Sequence, residues 1–176
     1  MLTVHQRPFR PADRTQAGHW EGDLIIGKNQ GSAIGTLVER QTRLVRLLHL
    51  PSRDGDSLHA ALRARMNDLP PGLLRSITWD QGTEMARHTE IAESLRTTIY
   101  FCDSRSPWQR PSNENTNGLL RQYFPKATDL NAHSPEHLMA VENELNSRPR
   151  RVLQDCAPIE LFTALLASPD QPALRR

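Results

Sequence analysis

Three acidic residues occupy positions in this sequence where a carboxylate is unusual. Asp23 lies inside an apolar run, Asp80 ends the short segment SITWD, and Glu114 stands in the polar stretch PSNENTNG. Acids are depleted in strands, and a carboxylate beside a core costs free energy unless it is paired or bound to a metal. Three oxygen donors without cysteine suit a hard cation such as Mg²⁺ or Mn²⁺. Two such ions about 4 Å apart serve phosphoryl transfer.

The elements that must position these acids follow from the apolar pattern. Three runs at residues 19–28, 32–40 and 43–50, joined by short polar turns, predict an antiparallel meander. After the meander, the pattern predicts a helix at about residues 56–69, a strand at 76–80, a helix at 85–95 and a strand at 97–101. Three helices then follow, at about residues 113–124, 134–147 and 158–167. This order predicts an α/β fold with a mixed five-stranded sheet, three antiparallel strands first, flanked by helices.

One compact domain is expected between two loosely ordered ends. The core spans residues 18–167, after a flexible lead-in or linker at 1–17 and before a frayed tail at 168–176. No apolar run reaches the ~20 residues of a membrane span, and no segment has the form of a signal peptide. We therefore expect a cytoplasmic protein with reduced thiols at Cys102 and Cys156.

The positive charge of the chain is carried almost wholly by arginine. Only two of the 22 cationic side chains, Lys28 and Lys126, are lysines, and the formal net charge is +2. Arginine forks match phosphate oxygens well. A coding bias explains the same excess, so charge alone does not establish a nucleic-acid partner.

The predicted strand order brings two of the acids together. Asp80, at the end of a strand, faces the crevice where open α/β sheets bind their ligands. If the first strand lies centrally beside the SITWD strand, Asp23 comes close to Asp80. Glu21 shares a sheet face with Asp23 and is a rival ligand.

The helix that carries Glu114 has one face suited to chemistry. Ser112 or Asn113 is predicted to cap its free N–H groups, and the helix dipole favours an ionised Glu114. Asn117 and Arg121 follow Glu114 on the same face. A capped surface helix whose acid merely suits the dipole is the alternative.

Four motifs, in order, resemble the catalytic core of bacterial insertion-sequence transposases of the DDE class, which are related to retroviral integrases. They are GHWEGDLIIGK (18–28), TLVER (36–40), TWDQGTEMARH (78–88) and SPWQRPSNENTNGLLRQYFPK (106–126), and a tail, LNSRPRRVLQDCAPIELF (145–162), also belongs. The resemblance covers about residues 18–162. It implies a ribonuclease-H-like fold with Asp23, Asp80 and Glu114 as the catalytic acids and metal ligands.

The resemblance also implies an activity. Such a polynucleotidyl transferase uses two Mg²⁺ or Mn²⁺ ions, cuts DNA at element ends and joins the freed 3′-OH to target DNA. Self-association, as a dimer or higher assembly on DNA, is expected. The candidate DNA contacts are Arg121, Lys126, Asn117, Trp108, Arg110 and His88. Gln81 and Pro111 depart from the common pattern of the family and put the mobility of the loop in doubt.

Two other functions remain open at this stage. One is a metal-dependent nuclease of the same fold, which only hydrolyses DNA. The other is a truncated, non-catalytic transposase fragment that binds DNA or a partner, since the helix-turn-helix regions of full-length transposases are not recognised here. Transfer to a 3′-OH separates the first alternative from a transposase, and any metal-dependent chemistry excludes the second.

Several further side chains have two interpretations. Trp20 and Trp79 are expected in the core, and so is Trp108, for which stacking on DNA bases is the alternative. His88 is interpreted as an exposed helix pair with Glu84, or else as a DNA contact.

Two clusters late in the chain also remain open. His133 and His137 have helical zinc spacing but lack an evident third ligand. The cluster Arg148–Arg151 suits phosphate groups, or a solvated surface turn.

Overall fold

A six-stranded mixed sheet forms the centre of the molecule in the computed structural model, which describes residues 1–10 and 13–168. The strands are β1 (Leu2–Thr3), β2 (His19–Ile26), β3 (Ala33–Glu39), β4 (Val45–His49), β5 (Ser76–Trp79) and β6 (Thr98–Phe101). The helices are α1 (Gly55–Met66), α2 (His88–Leu95), α3 (Pro111–Leu120), α4 (Pro135–Asn146) and α5 (Pro158–Ala167). Beyond Ser168, the predicted frayed tail lies outside the described residues.

The strands lie in the order β1-β6-β5-β2-β3-β4, with β2, β3 and β4 antiparallel and β5, β6 and β1 parallel. This arrangement confirms the mixed sheet with its antiparallel meander. The prediction of five strands is wrong by one, because Leu2–Thr3 pairs with Tyr100 and Phe101 at the edge of the sheet. Two residues carry no periodicity, so the sequence gives no signal for this strand.

Helices cover both faces of the sheet, as predicted. Trp20 and Leu24 of β2 pack into a cluster with residues of α1, α2 and α5. Ile25, on the opposite face of β2, packs with residues of α3 and α4. Since successive side chains of a strand alternate between faces, Asp23 lies on the face covered by α3.

Side chains of α4 cover the outer edge of β4. The backbone N–H of Leu47 donates to Oε1 of Glu142 at 2.8 Å, and Asn146 exchanges two hydrogen bonds of 2.8 Å with the backbone of Val45. The open backbone groups of an edge strand are thereby satisfied. Among the described residues, no helix combines the length and the apolar character needed to span a membrane.

Candidate active site

The parallel pairing of β2 with β5 brings Asp23 and Asp80 together. The ladder pairs Glu21 of β2 with Thr78 of β5. Asp23 and Asp80 each lie two residues further along the chain, so the same register sets the two aspartates side by side. Arg110 reaches both of them. Its Nη1 lies 3.2 Å from Oδ2 of Asp23, and its Nη2 lies 3.7 Å from Oδ2 of Asp80. The two carboxylates therefore converge, as the predicted strand order requires.

Asp23 is held in one orientation by three neighbours. Its Oδ1 accepts the backbone N–H of Leu24 at 2.8 Å, and its Oδ2 accepts Nδ2 of Asn117 at 3.2 Å. Burial raises the pKa of Asp23, although the positive charge of Arg110 acts in the opposite direction. Arg110 thus offsets part of the effect of burial on this carboxylate.

Asp80 has an oxygen without a partner. Its Oδ1 is buried and accepts no hydrogen bond among the described residues, while its Oδ2 faces Arg110. A buried acceptor without a partner is costly, and a carboxylate beside another carboxylate is a natural ligand of a hard divalent cation. Asp80 also lines a cavity of about 300 Å³ together with Gln81, Cys102 and Arg105. The two aspartates therefore fit a divalent metal ion.

The side chain of Glu114 is not gathered with the two aspartates. It is exposed in the first turn of α3. In the described ranges 1–10 and 13–168, no three His, Cys, Asp or Glu side chains form a group that could hold one metal ion. The backbone is nevertheless close, because Asn117, three residues further along α3, contacts Asp23.

A buried carboxylate docks α3 onto β2. The prediction that Ser112 or Asn113 caps the helix is wrong, because the helix begins at Pro111 and its N-cap makes no side-chain hydrogen bond. Instead, Oε2 of Glu21 accepts the backbone N–H of Asn113 at 2.9 Å, and Nδ2 of Asn113 donates to the backbone oxygen of Glu21 at 3.1 Å.

Glu21 also forms a buried ion pair with Arg40. The distance from Oε1 of Glu21 to Nε of Arg40 is 3.2 Å, and the side chains are 0% and 2% exposed. Both carboxylate oxygens of Glu21 therefore have partners inside the fold. The alternative that Glu21 is a metal ligand in place of Asp23 would require a carboxylate oxygen without such a partner. The sequence did not predict that Glu21 fastens α3 to β2. Its position two residues before Asp23 indicates only that the two acids share a face of the strand.

The predicted DNA contacts divide into buried and exposed groups. Arg110 and Asn117 face the aspartates. Arg121 donates to the backbone oxygens of Ile26 at 3.2 Å and Phe124 at 3.3 Å, so its guanidinium is anchored beside the end of β2. Lys126 is exposed. Sequence reasoning named Arg110 but missed that it joins the two aspartates.

Two aromatic residues differ from expectation. Trp108 is 67% exposed on the segment before α3, so the expectation that it packs in the core is wrong. His88 is not part of an exposed pair, since Glu84 is buried and accepts the indole N–H of Trp79. Nδ1 of His88 lies 3.1 Å from a backbone oxygen, and its ring meets Phe101 edge-on. Trp79 is fully buried, as predicted, and so is Trp20.

The remaining candidates make local contacts. The rings of His133 and His137 stack with a centroid distance of 5.1 Å, and His133 also packs edge-on against Phe124. Arg148 donates to Oε1 of Glu144 at 2.9 Å. The two histidines thus pack against each other and against Phe124, and Arg148 belongs to an ion pair on the surface of the protein.

Comparison with known proteins defines the class of the chain. A family model described as integrase core domain matches residues 13–107, which ends before Glu114. The transposase of insertion sequence IS1086 from Cupriavidus metallidurans is 46% identical over 169 residues, 96% of this chain and 50% of that protein. The transposase InsI of insertion sequence IS30A from Escherichia coli is 44% identical over 167 residues, 95% of this chain and 43% of that protein.

The chain belongs to the integrase core domain family. It spans about half the length of the relatives that it matches. Solved structures share the fold. The catalytic core domain of BIV integrase superposes with a TM-score of 0.64 at 15% identity, over 88% of this chain and 99% of that one. A chain of a simian T-cell lymphotropic virus intasome superposes with a TM-score of 0.64 at 18% identity, over 93% of this chain and 58% of that one.

Proposed function

We propose that this chain is the catalytic core of a transposase that performs metal-dependent phosphoryl transfer on DNA. The observation that carries the proposal is the convergence of Asp23 and Asp80 on the guanidinium of Arg110. Two carboxylates from neighbouring parallel strands, with a buried oxygen lacking a partner, match the ligands of a divalent ion. Membership of the integrase core domain family supports the same chemistry.

In this proposal Asp23, Asp80 and Glu114 would hold two Mg²⁺ or Mn²⁺ ions, with Glu114 reaching the site from the surface of α3. The ions, when bound, activate a nucleophile and stabilise the leaving oxygen. Asn117 holds the orientation of Asp23, and Glu21 fixes the helix that carries the third acid. Water is the first nucleophile, at the end of the element, and the freed 3′-OH then attacks target DNA.

DNA is the proposed partner, and the protein is proposed to act in the cytoplasm. The exposed indole of Trp108 lies on the segment before α3 and offers a surface on which an unpaired base stacks. The exposed ammonium of Lys126 is suited to a backbone phosphate. Joining two element ends needs two active sites, so self-association on DNA belongs to the proposal.

A branched oligonucleotide that mimics the strand-transfer product tests the reaction type. Resealing of the branch is strand transfer in reverse and places little demand on end recognition. The wild-type chain and Asp80→Asn are compared with Mn²⁺ and with EDTA. Resealing by the wild type alone, and only with Mn²⁺, is expected. Hydrolysis without resealing would indicate a nuclease of the same fold, and inactivity of the wild type would favour a non-catalytic fragment.

A further inference from the structure

Arg110 occupies the space between two carboxylates that are proposed to bind metal. It directly precedes α3 and is 6% exposed, and its Nη1 donates to the backbone oxygen of Gly22 at 2.7 Å. The same nitrogen lies 3.2 Å from Oδ2 of Asp23, and Nη2 lies 3.7 Å from Oδ2 of Asp80. The guanidinium is therefore held by β2 and by both acids.

The two like charges of Asp23 and Asp80 lie on either side of the cation of Arg110. The side chains of Asp23 and Asp80 are 26% and 43% exposed, so solvent screens part of their mutual repulsion, and a guanidinium in contact with both reduces it further. Arg110 supplies this charge from within the chain, before any metal enters. It faces Oδ2 of both aspartates, whereas Oδ1 of Asp80 has no partner among the described residues.

A divalent ion and this guanidinium are drawn to the same two carboxylates. A Mg²⁺ ion bound to a carboxylate lies about 2.0–2.1 Å from its oxygen, closer than the guanidinium nitrogens do, and the two cations repel each other at such separations. A metal held between Asp23 and Asp80 is therefore expected to weaken or displace at least one of the two contacts of Arg110. The bond to Gly22 keeps the side chain beside the site during this change.

We propose that Arg110 is a resident counter-cation of the Asp23–Asp80 pair, which holds the empty site together and yields its carboxylate contacts when metal binds. The proposal rests on the proposed function, since it requires the two aspartates to be metal ligands. The released guanidinium would be free to donate to a phosphate group of DNA, which arginine binds strongly. Metal binding and DNA binding should consequently favour each other.

Calorimetric titration of the chain with Mn²⁺, without DNA, tests the proposal. Arg110→Gln should bind Mn²⁺ measurably more tightly than the wild type, because a positive charge that repels the ion is removed from the site. Arg110→Lys keeps the positive charge and is the matched control, so its affinity should stay near that of the wild type. Equal or weaker binding by Arg110→Gln, or equal tightening in both variants, would overturn the proposal.

Two further measurements separate the possible failures. If Asp80→Asn and the wild type give the same titration, the metal site is wrong and the proposed function fails with it. If Arg110→Gln does not fold, the wild type still gives an answer through the guanidinium nitrogen signals of Arg110 during a titration with Mg²⁺. A large shift of these signals on metal binding is expected, and an unchanged spectrum at saturating Mg²⁺ would refute the displacement of Arg110.

Discussion

Replacement of Glu21 by glutamine removes one charge from the buried pair that docks α3 onto β2. The amide oxygen of glutamine still accepts the backbone N–H of Asn113, so the change isolates the loss of charge beside Arg40. Both side chains of the pair are almost fully buried. Breaking a buried ion pair by removing one of its charges typically costs about 3–5 kcal/mol.

Urea denaturation followed by circular dichroism measures this loss of stability. With a loss of about 3 kcal/mol and a slope near 2 kcal/mol/M, the midpoint of unfolding should fall by roughly 1.5 M. A domain of ordinary stability, about 5–15 kcal/mol, still folds after such a loss.

The matched control is Glu144→Gln, which breaks an ion pair with Arg148 on the surface. The two atoms of that pair are 2.9 Å apart, and the side chains are 53% and 43% exposed. An exposed pair contributes about 0–1 kcal/mol, so the midpoint should barely move. If Glu21→Gln lowers the midpoint no more than Glu144→Gln does, the pair of Glu21 and Arg40 does not stabilise the docking of α3, and the reasoning is refuted.

Three other predictions follow from packing, burial and exposure. Gly22→Ala should destabilise the fold by about 1–3 kcal/mol or more, because the added Cβ would lie 2.1 Å from ring carbons of Trp79. Gly118→Ala, whose Cβ would meet no other part of the fold within 4 Å, should instead stabilise the protein by about 0.5–1 kcal/mol. Urea midpoints of the two variants that shift in the same direction would contradict this reasoning. Burial lowers the pKa of His19 from 6.5 to about 4, so the unfolded chain takes up its proton first and stability should fall by up to about 3 kcal/mol as the pH drops from 6.5 to 4. Urea melts across this range should show the slope in the wild type and a flatter profile in His19→Asn, and equal profiles would count against it. Trp108→Ala should change stability by no more than about 0.5 kcal/mol and weaken binding of single-stranded oligonucleotides by about 1–3 kcal/mol, as fluorescence anisotropy would record; unchanged binding would exclude stacking.

Local patterns predict the elements of this fold well, because their cause is local. Trp20 and Asp23 point to opposite faces of β2, which follows from the alternation of a strand. The tight polar turns of the meander and the prolines beside the helices are equally visible in the sequence. The edge strand Leu2–Thr3 is the exception, since its one stabilising partner, β6, lies about a hundred residues away.

The contacts that shape the candidate site connect residues far apart in the chain. Arg110 and Asp23, like Asn113 and Glu21, come from different elements, and no periodicity links them. Their residue types permit many pairings, and only the register of β2 against β5 and the docking of α3 select these. The acids could therefore be proposed from sequence, whereas the cation between two of them could not.

The activity of Glu114→Gln on the branched oligonucleotide tests most directly whether all three acids form one site. Glu136 provides the matched control, because it is also an exposed acid in the first turn of a helix, α4. With Mn²⁺, Glu114→Gln should lose resealing as completely as Asp23→Asn and Asp80→Asn do, while Glu136→Gln reseals at the wild-type rate. Resealing by Glu114→Gln at the rate of Glu136→Gln would contradict the claim that the acid of α3 joins the two aspartates in catalysis.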